Sequence, residues 1–202
     1  MRLIDPADHV QEMLELEFLA SEPYARFVFD TEIEAKEIAK FLFESNVGEN
    51  VAPYVSLAVD DATTVLGLVT FLDAAELKTA RMAAAIALVR GRKVGAVSAT
   101  RDRMLLAAEI LMDVEPHELY LSRIAVTAAA RGRGVGCWLL EQYETDARRR
   151  SKTRLVLEVA PEHAAALSLY ERCGFETLRD RETSDPGTGR RLAYRHMAKT
   201  LA

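Results

Sequence analysis

The sequence predicts an α/β fold on a mixed, mostly antiparallel central sheet, with helices on both faces. Two observations carry this reading. Residues 118–160 run strand, helix, strand: "ELYLSRIAV" (118–126) and "TRLVLEVA" (153–160) are apolar without alternation, as parallel strands covered on both faces are. Apolar runs joined by compact turns flank this centre on either side and read as antiparallel hairpins. The strand–helix–strand unit crosses over right-handedly.

Each element has its own signal. Asp5-Pro6 opens a first helix, with Asp5 as N-cap, Pro6 at the first helical position and Asp8 in the first turn. Val10, Met13, Leu14 and Phe18 form its apolar stripe. Thr31 and Glu34 have capping-box spacing, and Ile33, Ile38, Phe41 and Leu42 mark a second helix that stops near Gly48. "YVSLAVDDATTVLGLVTFLD" (54–73) reads as two strands about a turn at Asp60-Asp61. Helical composition returns at 76–91, rich in alanine, and at 100–113, rich in methionine and leucine. Strand 118–126, helix 133–150 and strand 153–160 form the centre. A helix from about Glu162 to Cys173 ends at Gly174, and two strands about "DPGTG" (185–189) close the chain.

Composition bounds the function. At 202 residues, half of them hydrophobic and 28% charged, the chain is expected to form one domain, 1–202, with a proper core. No apolar run approaches the about 18 residues that span a bilayer. "MRLIDPADH" carries no apolar signal core, and "AKTLA" is no prenylation or retention signal, so a cytoplasmic protein without a membrane partner is expected. Cys137 and Cys173 both fall in predicted helices, which argues against a disulfide framework. His9, His117, His163 and His196 lack metal-ligand spacing, so no metal is expected. The basic run "ARRRSKTR" (147–154) sits at a helix C-terminus, where cations complement the dipole, and nucleic acid is not expected as a partner. Charge is uneven: residues 1–61 hold fourteen acids and four bases, the remainder seventeen acids and twenty-two bases. This is either a solvated helix surface or one side of a site that draws cations.

The functional signal is "IAVTAAARGRGVGCWLLEQYE" (124–144), in which Arg131, Gly132, Arg133, Gly134, Val135 and Gly136 join a central strand to a helix. The first amides of that helix have no intrahelical partner and its dipole is positive there, which makes an anion site. Glycines let backbone approach the anion, and arginines add charge-assisted bonds to phosphate oxygens. A Walker loop is excluded, because Cys137-Trp138 follow the last glycine where Lys-Ser/Thr would stand. A dinucleotide fingerprint would need glycine at Cys137, although Glu158 lies at a suitable distance for the ribose; a dehydrogenase is therefore a third reading.

The pattern Arg131-x-x-Gly134-x-Gly136 after "IAV" resembles the acetyl-CoA signature of the GNAT N-acetyltransferases. "LVLEVAPEHAAALSLYERCGFE" is similar to the family's next strand and helix. The resemblance is strong over 118–176 and absent at 74–117, and "LEV" resembles the ribosomal-protein and N-terminal-amine branch. It implies the GNAT fold, in which the two parallel strands splay and acetyl-CoA lies between them as co-substrate. Backbone groups of Ile124, Ala125 and Val126 would pair with the pantetheine arm, and a backbone amide near Val126 would serve the oxyanion. The loop from Arg131 through Cys137 would hold the pyrophosphate. His163 stands where the family often has asparagine, three residues before Ala166, and both would lie against the cofactor.

The same resemblance implies N-acetyl transfer from the thioester to a primary amine in a ternary complex, with a catalytically silent acyl-CoA-binding module as the alternative. Tyr170 would protonate the departing sulfur. Glu158, a carboxylate inside an apolar strand, is the first candidate for the base, and Glu118, at the outer end of the other strand, the second. Either is otherwise a structural ion-pair partner, for instance of Arg123. The two-helix insertion at about 74–117 caps the acceptor side or forms a homodimer surface. With the acidic first third, it points to a cationic small-molecule or peptide amine as acceptor.

Overall fold

The structure is a computed structural model that describes residues 1–49, 51, 53–91 and 98–201. Its strands are β1 (Arg2–Ile4), β2 (Val55–Val59), β3 (Val65–Asp73), β4 (Glu118–Val126), β5 (Arg154–Val159), β6 (Glu176–Ser184) and β7 (Arg191–Thr200). Its helices are α1 (Val10–Val28), α2 (Glu32–Glu44), α3 (Ala74–Arg90), α4 (Ser98–Ala108), α5 (Val135–Arg149) and α6 (Ala164–Arg172). The strands form one sheet in the order β1-β2-β3-β4-β5-β7-β6. Every neighbouring pair is antiparallel except β4 and β5. The predicted mixed sheet with one parallel pair is the one observed.

The caps act as the sequence expects, with shifts at two places. Asp5 accepts from Ala7 N–H at 2.8 Å, but it caps a 3₁₀ turn over Pro6–Asp8, and α1 begins only at Val10. Thr31 Oγ1 accepts from Glu34 N–H at 3.1 Å, and Glu34 reaches back to Asp30 N–H. Asp73 and Glu76 form a complete capping box at the start of α3, which therefore begins where β3 ends. α4 stops at Ala108, short of the expected 113. The segment 92–97 between α3 and α4 lies outside the described residues.

Two layers of helix enclose the sheet. Leu119, Leu121, Leu155, Leu157 and Val159 point to the face covered by α5 and α6, where Val135, Leu139, Leu140 and Tyr170 meet them. On the opposite face Tyr120 and Val156 meet Leu77 and Ala80 of α3, and Ala125 meets Met13 and Leu16 of α1. A strand buried on both faces gives the continuous apolar runs from which β4 and β5 were read.

Candidate active site

The loop before α5 has the conformation an anion cradle needs. Gly132 and Gly134 have φ of 73° and 80°, the left-handed region where a side chain is strained. Gly134 is the N-cap, and the first intrahelical bond runs from Trp138 N–H to Gly134 C=O at 3.0 Å. The amides of Val135, Gly136 and Cys137 are thus left without helical acceptors. Arg131 and Arg133 are exposed beside them, and Arg131 Nε donates to Val126 C=O at 3.4 Å. Free backbone donors and the positive end of the helix dipole meet at one exposed spot, with Arg131 and Arg133 exposed in the same loop, which suits a pyrophosphate.

β4 and β5 separate close by. They pair only from Glu118↔Arg154 to Leu121↔Leu157, whereas β4 continues to Val126. Beyond Leu121 the β5-facing edge of β4 is open, while its other edge stays bonded to β3 through Arg123, Ile124, Ala125 and Val126. Tyr143 of α5 fastens the paired part. Its buried hydroxyl donates to Leu119 C=O at 2.5 Å and accepts from Val156 N–H at 3.1 Å. An open strand edge leading to the cradle fits the extended arm of an acyl-CoA, and the residues expected to hold it, Ile124 to Val126 and Arg131 to Cys137, lie along this path. Ala166 and His163 begin α6; His163 is its N-cap and makes no side-chain capping bond.

A register shift between Thr70 and Phe71 leaves Ser122 as an extra residue in β4. Successive strand residues normally face opposite ways. The bulge instead lets Ser122 and Arg123 both reach a cavity of about 400 Å³ on the α1 and α3 face. α1, α2, α3, α4, β4, β5 and β7 all contribute to its wall.

The wall carries a network of buried charge. Glu49 is held by Arg81, whose Nε donates at 2.9 Å, and by the hydroxyl of Ser122. Burial alone would raise the Glu49 pKa, but Arg81 and Arg123 outweigh it and hold the carboxyl below its usual range. Arg123 Nε donates to Glu17 Oε1 at 3.2 Å. Burial works against the Arg123 charge, and Glu17 and Glu49 outweigh it, so that guanidinium stays charged. Glu17 Oε2 is buried with no hydrogen-bond partner among the described residues.

Glu158 of β5 lies on the same wall. It accepts from Tyr120 Oη at 2.9 Å and from Met112 N–H. Burial pushes its pKa up to about 7, although the Tyr120 and Met112 hydrogen bonds pull the other way. Across the β5–β7 ladder stands His196, whose Nε2 lies 3.5 Å from Glu158 Oε1. His196 Nδ1 accepts from Arg179 Nε at 3.2 Å and its Nε2–H donates to Ile110 C=O at 2.9 Å, which is the neutral tautomer. Burial lowers its pKa and keeps it neutral, so no cation at His196 offsets the upward push on Glu158. A carboxylate poised near neutrality on a cavity wall can take a proton at physiological pH.

The other expected residues fall elsewhere. Glu118 does not share the site with Glu158. It sits at the far end of β4, where it accepts from Arg154 at 2.8 Å and from Glu115 N–H at 2.9 Å, an ion pair that staples β4 to β5. Arg123 pairs with Glu17 and not with either base candidate. Tyr170 lies in the core beneath α6, its ring edge-on to Phe175 at 5.9 Å and outside the cavity wall. Burial raises its pKa, so the hydroxyl keeps its proton. Of the acidic helix, the cavity receives Ala35, Lys36, Ile38, Ala39 and Leu42, while Glu32, Glu34 and Glu37 face outward. The charge asymmetry of the first third is therefore largely an outer surface, and Glu17 and Glu49 are its contribution to the site.

Glu17, Glu49, Arg81 and Tyr120 were not singled out from sequence. A signal existed for Glu17, which falls four residues after Met13 on the buried stripe of α1, and for Arg81, four after Leu77 in α3. A charged residue on an apolar stripe needs a partner. Among the described residues there is no group of three or more His, Cys, Asp and Glu able to hold a metal ion, and no helix long and apolar enough to cross a membrane.

The sequence model of the Acetyltransferase (GNAT) family matches residues 67–175. No curated protein matches. Among solved structures, one described as an acetyltransferase superposes with a TM-score of 0.66 at 18% identity, covering all of both chains. The ribosomal-protein-alanine N-acetyltransferase from Brucella melitensis gives 0.58 at 18%, again over all of both chains. A Bacillus subtilis acetyltransferase in complex with CoA gives 0.56 at 13%, covering 100% of this chain and 99% of that one. At such identities the likeness speaks for the fold.

Proposed function

The chain belongs to the acetyltransferase (GNAT) family, and on that premise we propose that it is an acetyl-CoA-dependent N-acetyltransferase acting on a primary amine, with Glu158 as general base. The observation that carries the reading is the placement of Glu158, a buried carboxylate with a pKa near 7, on the wall of a cavity bordered by β4 and β5 where those strands part.

Acetyl-CoA supplies an acetyl thioester. The amides of Val135 to Cys137, with Arg131 and Arg133, would hold its pyrophosphate, and the open edge of β4 its extended arm. The amine must be neutral to attack, so Glu158 first takes the proton that turns R–NH₃⁺ into R–NH₂; the C–N bond then forms as the C–S bond breaks. Tyr170, kept protonated by burial, is assigned the proton that goes to the departing sulfur. The second amine proton, shed as the amide forms, restores Tyr170 through solvent, and Glu158 returns the first to solvent.

Incubation with acetyl-CoA and a panel of amines, following free thiol release, tests the proposal. Release that requires an amine and disappears in Glu158→Gln is expected. Cofactor binding with no amine-dependent thiol release would overturn it in favour of a silent acyl-CoA-binding module.

A further inference from the structure

The cavity wall bears three carboxylates, and two are fully engaged. Glu49 spends its oxygens on Arg81 and Ser122, and Glu158 on Met112 N–H and Tyr120. Glu17 gives Oε1 to Arg123, but Oε2 is buried and unpartnered, and the side chain is only 9% exposed. A carboxylate oxygen removed from water without a donor is an unsatisfied polar group, which is costly. Both guanidiniums on the wall, Arg81 and Arg123, already face carboxylates. The vacancy thus calls for a cationic donor.

The rest of the wall is apolar and roomy. Ala84, Ala85 and Leu88 of α3, Leu42 of α2, Met104 of α4 and Phe29 all line it. Ala80 and Ala84, one turn apart on α3, leave volume where larger side chains would fill it. A cavity of about 400 Å³ accommodates a compact organic body.

We infer that the acceptor is a small primary amine carried on an apolar group, bound as its ammonium ion against Oε2 of Glu17. This rests on the acetyltransferase reading and deepens it. Glu17 is a specificity residue: it holds R–NH₃⁺, and the proton that leaves to give R–NH₂ goes to Glu158 on the same wall. The ammonium completes the vacant oxygen, and the apolar body fills the space beneath α3. A polyamine would bury further cations against Leu88 and Met104, and an amino acid would bring a carboxylate to arginines already paired.

The probe is 2-phenylethylamine, with 2-phenylethanol as its uncharged counterpart and spermidine and phenylalanine as competitors. Binding is measured by calorimetry without acetyl-CoA, and turnover by thiol release. The amine is expected to bind at least about tenfold tighter than the alcohol, spermidine and phenylalanine. Glu17→Gln is expected to remove that preference over the alcohol, leaving acetyl-CoA binding unchanged. Ala84→Phe, which shortens the cavity, is expected to abolish binding of 2-phenylethylamine but not acetylation of ethylamine. Should Glu17→Gln fail to fold by circular dichroism, the wild-type comparison and Ala84→Phe decide. Equal affinity for amine and alcohol, preference for spermidine or phenylalanine, or an unaltered amine affinity in folded Glu17→Gln would overturn the inference. Thiol release with spermidine alone would sink it while leaving the acetyltransferase reading intact. Glu17-dependent amine binding without thiol release from any amine would do the reverse.

Discussion

Replacing Glu158 by glutamine separates stability from activity. In the folded chain this carboxyl is shifted from an ordinary 4.5 to about 7, burial being the largest cause. It therefore keeps its proton at pH values where the unfolded chain has lost it. Folding stability falls as pH climbs from about 4.5 to about 7, and the loss is complete above that. At about 1.4 kcal/mol per pH unit, ionised Glu158 costs the fold about 3 kcal/mol at pH 8 and less than about 1 kcal/mol at pH 5. Glutamine has no proton to lose, keeps the shape, and retains an oxygen for Met112 N–H. Glu158→Gln is expected to be nearly as stable as the parent at pH 5 and about 3 kcal/mol more stable at pH 8. Its turnover should fall about 100-fold or more. Urea denaturation followed by circular dichroism at the two pH values, with initial rates of thiol release, measures both. A stability difference that ignores pH would refute the burial argument, and wild-type turnover would refute the base. In the parent, the rate should rise with pH through an inflection near 7.

Tyr170→Phe keeps the edge-on contact with Phe175 and removes only the hydroxyl. Turnover should drop about 100-fold while calorimetry finds acetyl-CoA affinity unchanged; full turnover would reduce Tyr170 to packing. Gly134→Val places a β-branched residue at a φ of 80°. A left-handed backbone costs such a residue at least about 1–2 kcal/mol, so the loop should rearrange and acetyl-CoA bind more than about tenfold weaker. Unchanged binding would dissolve the cradle assignment. Glu34→Lys with Glu37→Lys alters only the outer face of α2, so the acceptor KM should stay within about twofold of wild type. Glu34 closes the α2 cap, hence a fold check comes first; a large rise in KM would return the acidic surface to the site.

What could be read in advance was local. β4, β5 and the loop before α5 carry period, run length and glycine placement within a few residues, and the structure reproduces them. β1 escaped notice because three residues cannot display a period. The second-choice base, Glu118, was placed by its strand alone. A nine-residue strand is long enough for one end to serve a site and the other to serve a staple. The cavity network was illegible for another reason. It joins Glu17, Glu49, Arg81, Arg123 and Glu158 from α1, the loop after α2, α3, β4 and β5, and only tertiary folding brings them together.

The extra residue in β4 sets the phase of the whole strand. Before it, Tyr120 faces α3 while Leu119 and Leu121 face α5; after it, Ala125 faces α1 while Ile124 and Val126 face α5. Even positions look toward the cavity on one side of Ser122, and odd positions on the other. Deleting Ser122 would restore strict alternation with Tyr120, Arg123 and Ala125 still on the cavity side and Leu121, Ile124 and Val126 still under α5, and would take only the Ser122 hydroxyl away from Glu49. A one-residue insertion or deletion elsewhere in the strand would reverse the faces on one side of it, so the bulge is the one place within β4 where chain length can change without exchanging the two faces.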